Sequence, residues 1–157
     1  MIEVSRTIPL NEDAEPRLTR DDLWNGLVEK AENPLPYVAS ISECTVVDRF
    51  DGGLVRDIVH AGAEVREVVT FYPTKRVHFV RTRGTARGTI DNEIGVDDAG
   101  NDVLTFAFRI AVDGIEDGSP QEKEFAERME QDYLDAVRTT LAAIRARIVA
   151  PQSAPLA

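Results

Sequence analysis

His60, Glu67 and Arg81 are the side chains in this chain whose types and spacing point most directly to chemistry. An imidazole, a carboxylate and a guanidinium in one neighbourhood can anchor the carboxylate, hydroxyl or carbonyl of a ligand, or pass a proton. They come from three consecutive stretches, 54–61, 64–72 and 76–83, that read as β-strands. Side chains alternate across a strand, so every second residue shares a face. One face carries Leu54, Arg56, Ile58, His60, Val65, Glu67, Val69, Phe71, Val77, Phe79 and Arg81; seven of these eleven are apolar, which assigns it to the interior. The other carries Val55, Asp57, Val59, Arg66, Val68, Thr70, Tyr72, Arg76, His78, Val80 and Thr82. A tight turn after Ala61 is expected to pair His60 with Val65, Ile58 with Glu67 and Arg56 with Val69. A turn at Pro73-Thr74 is expected to pair Phe71 with Val77, Val69 with Phe79 and Glu67 with Arg81. Directly opposed Cβ atoms lie about 5 Å apart, within reach of an ion pair. An isolated charge on the inward face would be costly, whereas a paired one is tolerable. The same cluster also fits a structural ion pair at a cavity rim, with His60 in solvent at a strand end.

Other chemical candidates are weaker. Cys44 has no histidine near it in sequence and reads as a small apolar filler of a strand. His60 and His78 fall on opposite faces, and no Glu-x-x-His or Cys/His spacing exists, so no metal site is expected. Gly84 and Gly88 do not form a phosphate loop; they mark a bulge or bend that curls the sheet. Arg83 and Arg87 read as solvated surface, Met129 and Tyr133 as helix core, and Trp24 as packing its helix beneath the end of the sheet.

The elements that must position the cluster are legible from periodicity. Ile2 to Leu10 alternate as an opening strand. After the polar loop NEDAEPR, Thr19 with Asp22 three residues on caps a helix whose apolar face is Leu23, Trp24, Leu27, Val28 and Ala31. Asn33-Pro34 stops it, and LPYV is expected as an irregular turn or a one-turn helix, completing a short helical pair. Further strands are expected near 39–50, 85–96 and 102–112, joined by short turns and therefore antiparallel. For the last strand, the simplest register through DDAGND turns Thr105 and Ala107 inward with Ile94. The apolar run Leu104, Phe106, Phe108, Ile110 argues for the other face, which we prefer because two phenylalanines belong away from water. Ser119, Pro120 and Glu122 then open a helix running to about Val149, with Phe125, Met129, Tyr133, Ala136, Val137, Leu141, Ile144 and Ile148 at helical spacing. A helix of that length extends roughly 45 Å, more than a small core needs, so it must lie along the strands. The expectation is an α+β helix-grip architecture: a curved antiparallel sheet of about seven strands wrapped on a long C-terminal helix, with a cavity between. One domain over 1–149 is expected, followed by a disordered Pro- and Ala-rich tail, 150–157.

Composition narrows the function classes. A net charge of −10 argues against nucleic acid and against an anionic membrane surface. A single cysteine excludes a disulfide framework and fits a reducing compartment. The segment MIEVSRTIPL lacks signal-peptide character, and nothing approaches a membrane span of about 18 apolar residues, so a cytoplasmic location is expected.

The order strand, helix, helical turn, six antiparallel strands, long helix resembles the START-like, or SRPBCC, superfamily. The run DGGLVRDIVHAGAEVREVVTFYPTKRVHFVRTRG, the Trp24 helix and the NEI segment at 92–94 make the chain similar to a bacterial and fungal branch labelled AtaL-like. The resemblance covers residues 2–149 and carries no agreed catalytic motif. It implies an apolar ligand cavity lined by inward strand residues and the inner stripe of the last helix: Ile58, His60, Glu67, Val69, Phe79, Arg81, Asn92, Phe106, Phe108, Met129 and Tyr133, with Arg56 beside them. The expected function is binding of a small hydrophobic or aromatic molecule, without a cofactor or metal. The alternative is a cyclase, aromatase or dehydratase using Glu67 or His60 as acid or base. A third reading is a non-enzymatic module that uses the exposed sheet edge for a partner; a homodimer is a separate option. The absence of a nucleophile–base–orienter set favours binding.

Overall fold

Capping residues and turn residues divide the described residues into seven strands and two helices. The computed structural model describes residues 1–11 and 15–149; the expected disordered tail and the middle of the NEDAEPR loop lie outside them. Strand β1 (Ile2–Pro9) is followed by helix α1 (Arg20–Glu32), strands β2 (Ile41–Phe50), β3 (Gly53–His60), β4 (Ala63–Tyr72), β5 (Arg76–Arg83), β6 (Ala86–Val96) and β7 (Asp102–Val112), and helix α2 (Pro120–Val149). The strands form one antiparallel sheet in the order β1-β7-β6-β5-β4-β3-β2.

Both helix starts follow from local chemistry. Thr19 Oγ1 accepts from Asp22 N at 3.1 Å and Asp22 Oδ2 accepts from Thr19 N at 2.8 Å, a complete capping box. At α2, Ser119 Oγ accepts from Glu122 N, but Glu122 returns its carboxylate to Gly118 N rather than to Ser119 N. The segment after α1 is a turn and not a second helix. Tyr37 N and Val38 N both donate to Pro34 O at 2.9 Å, and Pro34 and Pro36 have no N–H with which to continue a helical ladder.

Register in the sheet departs from expectation at one hairpin. Ala61 and Gly62 form a two-residue turn with positive φ at both positions, 49° and 83°, the combination that matches strand twist. His60 therefore faces Ala63, Ile58 faces Val65, and Arg56 faces Glu67, where the four-residue turn would have set Arg56 against Val69. The β4–β5 pairing is the expected one, with Glu67 opposite Arg81 and Val69 opposite Phe79. At β6–β7 a five-residue loop, closed on Asp97 Oδ1 by Ala99 N and Asn101 N, pairs Ile94 with Leu104, Asn92 with Phe106 and Ile90 with Phe108. The aromatic face of β7 is the buried one, and the register that would have turned Thr105 and Ala107 inward does not occur. Gly88, at φ 150°, packs so closely on β7 that a Cβ would lie 1.9 Å from Arg109 O.

The main core joins Leu54, Val69, Val77, Phe79, Ile90, Leu104, Phe106, Phe108 and Ile110 of the sheet to Met129, Val137, Leu141 and Ile144 of α2. Helix α1 closes one end with Leu23, Leu27 and Ala31, and Trp24 stands edge-on to Phe71 with ring centroids 6.3 Å apart. A second, smaller cluster holds Ile41, Ile58 and Val65. Between the two apolar clusters the inward face is polar.

Candidate functional site

The polar band is one transverse row of the sheet. Because Arg56 on β3 opposes Glu67 on β4, and Glu67 opposes Arg81 on β5, three charged side chains stand shoulder to shoulder across adjacent strands. Glu67 is 1% exposed. Its Oε1 accepts from Arg56 Nε at 2.9 Å and Nη2 at 2.7 Å, and its Oε2 accepts from Arg81 Nε at 2.9 Å. Burial alone would raise the Glu67 carboxyl, but the two guanidiniums outweigh it and hold the carboxyl below its usual range. Arg56 Nη1 also donates to Lys30 O and Ala31 O at the end of α1, where carbonyls lack intrahelical partners.

A second set of contacts runs from Arg81 toward α2. Arg81 Nη2 meets His60 Nδ1 at 3.2 Å, and His60 Nε2 lies 3.1 Å from Ser40 Oγ and 3.2 Å from Asp132 Oδ2. A guanidinium can only donate, so Nδ1 accepts and the ring proton sits on Nε2, toward Ser40 and Asp132. Hydrogen bonding to His60 is the main cause of a lowered Asp132 carboxyl, which burial opposes. Tyr133 stacks among Phe106, Phe108 and His60, with centroids 6.3, 4.9 and 6.4 Å away, and burial pushes its phenol up to about 12.

The third polar contribution comes from α1. Lys30 is 9% exposed, and its Nζ donates to Asn92 Oδ1 at 2.6 Å. Burial, with Arg56 close by, brings its ammonium down to about 8, with Glu67 opposing the shift.

These groups border two spaces. An inner chamber of about 50 Å³ is lined by Lys30, Arg56, His60, Glu67, Phe79, Arg81, Ile90, Asn92, Phe106, Asp132, Tyr133, Ala136 and Val137, with Pro34, Val38 and Ile41 at its α1–β2 side. An outer cleft of about 450 Å³ lies between α2 and the β3–β4 and β5–β6 turns, with walls of Ala61, Ala63, Val65, Ala86, Phe125 and Met129 together with Thr85 and Arg128. His60, Arg81 and Asp132 line both. Of the residues expected from sequence, Arg56, His60, Glu67, Phe79, Arg81, Asn92, Phe106 and Tyr133 come together on the chamber wall. Met129 lies on the outer cleft instead. Ile58 packs in the small cluster, and Val69 and Phe108 in the main core; none of the three borders either space. Sequence reasoning missed Lys30, Ser40 and Asp132. Lys30 lies three residues beyond Leu27 on the buried stripe of α1, and Asp132 three beyond Met129 on α2. A charge falling on an apolar stripe was the available signal. Among the described residues, no group of three or more His, Cys, Asp or Glu side chains is arranged to hold a metal ion, and no helix is long and apolar enough to cross a membrane.

The sequence model of the family described as "AtaL: Acetylaranotin biosynthesis cluster protein L" matches residues 4–150. Acetylaranotin biosynthesis cluster protein L of Aspergillus terreus (strain NIH 2624 / FGSC A1156) is 25% identical over 147 residues, covering 90% of this chain and 86% of the relative. Among solved structures, a START superfamily protein from Mycobacterium smegmatis superposes with a TM-score of 0.68 at 12% identity, covering 92% of this chain and 99% of its own. The Zhui aromatase/cyclase from Streptomyces sp. R1128 superposes with a TM-score of 0.68 at 15% identity, covering 95% and 96%. At such identities the likeness is one of fold: a helix-grip sheet around a C-terminal helix.

Proposed function

The chain belongs to the Acetylaranotin biosynthesis cluster protein L family, and from that premise we propose that it is a single domain over 1–149 that binds a small apolar or aromatic molecule between the sheet and α2. The body of the ligand occupies the outer cleft and its polar end reaches His60 and Arg81. The observation that carries this reading is the shared wall: the same His60, Arg81 and Asp132 border a 450 Å³ cleft and a 50 Å³ chamber, both walled mainly by apolar surface, and the chamber also holds the buried Lys30, Arg56 and Glu67. Ligand sites of drug-sized molecules run from about 300 Å³ upward, so the chamber alone is too small and the cleft is large enough. An apolar body beside a few convergent polar groups is the usual anatomy of such sites. Thermal-shift screening against aromatic acids, lipids and polyketides tests it, because a ligand preferring the native state stabilises by about 2.7 kcal/mol at a hundredfold excess over Kd. Met129→Trp, which narrows the cleft, should diminish the shift of any compound that scores; an undiminished shift would remove the cleft from the reading.

A second reading, an enzyme of the cyclase, aromatase or dehydratase kind, is favoured by the His60–Asp132 contact on the wall shared by chamber and cleft. A carboxylate that accepts the ring proton at Nε2 orients the imidazole, and Nδ1 could take a substrate proton once Arg81 Nη2 turns from it to the ligand. Glu67 does not suit that role, since both its oxygens are held by guanidinium N–H groups. Turnover of a scoring compound that His60→Gln abolishes, with binding kept, would establish this reading; binding without turnover would sink it.

A further inference from the structure

We propose that Lys30, with Asn92 and Arg81, makes the inner chamber a receptor for the carboxylate of an apolar or aromatic acid. The inference rests on the ligand-binding reading above and names the chemical class that reading leaves open.

Three observations converge on it. The first is charge. Lys30, Arg56 and Arg81 place three positive charges around the chamber against two carboxylates, the buried Glu67 and the partly exposed Asp132, leaving an excess of one inside a protein whose net charge is −10. Buried charges are tolerated when paired, yet Glu67 is already divided between the two arginines and Asp132 is bonded to His60 and Ser40, so neither carboxylate is bonded to Lys30. The second is donor count. An ammonium has three N–H donors, and Lys30 commits one, to Asn92 Oδ1. Arg56 has Nε, Nη1 and Nη2 engaged, so it has little left to offer a ligand. Arg81 uses Nε for Glu67 and Nη2 for His60, and Nη1 carries neither bond. The third is size. A chamber of about 50 Å³ holds only a few water-sized groups, the scale of a carboxylate and not of a ring. The ring system then lies in the adjoining cleft beyond His60 and Arg81.

The groups facing the site from every side fix its pH behaviour. Arg56 and His60 come from β3, Glu67 from β4, Arg81 from β5, and Asp132 and Tyr133 from α2. Burial and Arg56 hold the Lys30 ammonium down at about 8. An anion beside Nζ favours the charged amine, so carboxylate binding near pH 8 must draw in a proton, up to about half of one per site. Affinity for the acid is therefore level below that pH and falls above it.

The test compares 2-naphthoate with 2-naphthamide, which share a ring and differ in charge, by calorimetry on the full chain. At pH 7 the acid should bind roughly tenfold tighter or better than the amide. At pH 8, titrations in two buffers of different ionisation enthalpy should reveal proton uptake with the acid and none with the amide. Lys30→Met should erase both the preference and the uptake while still binding the amide, which also shows that the variant is folded. Equal affinity of acid and amide, or an acid preference that Lys30→Met keeps, overturns the carboxylate site at Lys30 and leaves the cleft reading standing. Binding of neither compound overturns both. Equal wild-type affinities overturn the site even where Lys30→Met does not fold.

Discussion

Replacing Glu67 by Gln tests the architecture of the polar row most directly. The carboxylate is buried and its two oxygens take three N–H bonds from Arg56 and Arg81 at 2.7 to 2.9 Å. Gln keeps one acceptor oxygen but presents an NH₂ group to the other guanidinium, so a donor faces a donor. It also removes the negative charge that two buried arginines share. Breaking a buried pair by deleting one partner costs about 3–5 kcal/mol, against a total stability of about 5–15 kcal/mol for a domain. For a chain of this size that corresponds to a fall in Tm of roughly 6–20 °C. Urea and thermal unfolding of the two proteins at pH 7 measure it, with the m-value as the check that the same surface is exposed. The sign with pH follows from the carboxyl. Burial works to raise it, yet the arginines hold it below its ordinary value of 4.5. A lowered carboxyl contributes fully above that ordinary value and loses its contribution as pH falls below it, so the gap between wild type and Glu67→Gln should narrow in acid. Replacing the whole row, with Arg56→Met, Glu67→Leu and Arg81→Met together, should cost far less than Glu67→Gln alone, because no charge is then stranded. A Glu67→Gln protein within about 1 kcal/mol of wild type would refute the reasoning.

Two further predictions concern α1. A Cβ at Gly26 would lie 2.2 Å from Ile144 Cδ1 and 2.5 Å from its Cγ1, so Gly26→Ala overpacks the α1–α2 contact. It should destabilise by about 1–3 kcal/mol despite the better helix propensity of alanine; in an Ile144→Ala background the same change should become neutral or stabilising, and a double-mutant cycle by urea unfolding reads the difference. Lys30 carries a buried ammonium lowered to about 8 from an ordinary 10.5. Between those values the unfolded chain binds more protons than the folded one, so ligand-free stability should rise with pH across that window. Lys30→Met should lack that rise, and parallel pH-stability curves for the two proteins would contradict a buried amine.

The way the site was assembled separates what local sequence can specify from what it cannot. Strand alternation placed Arg56, Glu67 and Arg81 on the inward face, because the face a residue occupies depends only on odd or even position along a strand. The helix starts were equally local: Thr19 with Asp22, and Ser119 with Pro120, act over three or four residues. Partnership across strands was not local in that sense. A two-residue turn at Ala61-Gly62 and a longer one keep the same face but change the opposite number, and an alanine at positive φ does not advertise the tighter turn. At β6–β7 the side chain of Asp97 closes a five-residue loop and so selects the aromatic face.

Lys30 and Asp132 show the larger gap. Each is one charge on an otherwise apolar stripe, and in the sequence such a charge reads as solvent-facing. What buries Lys30 is the seating of α1 across the sheet, and what brings Asp132 to His60 is the path of α2 through its hollow. The division into a small inner chamber holding the buried charges and a larger outer cleft arises in the same way. Periodicity sets which side chains point inward, whereas the space left between them depends on how three separately folded surfaces fit, which is a property of the packed chain alone.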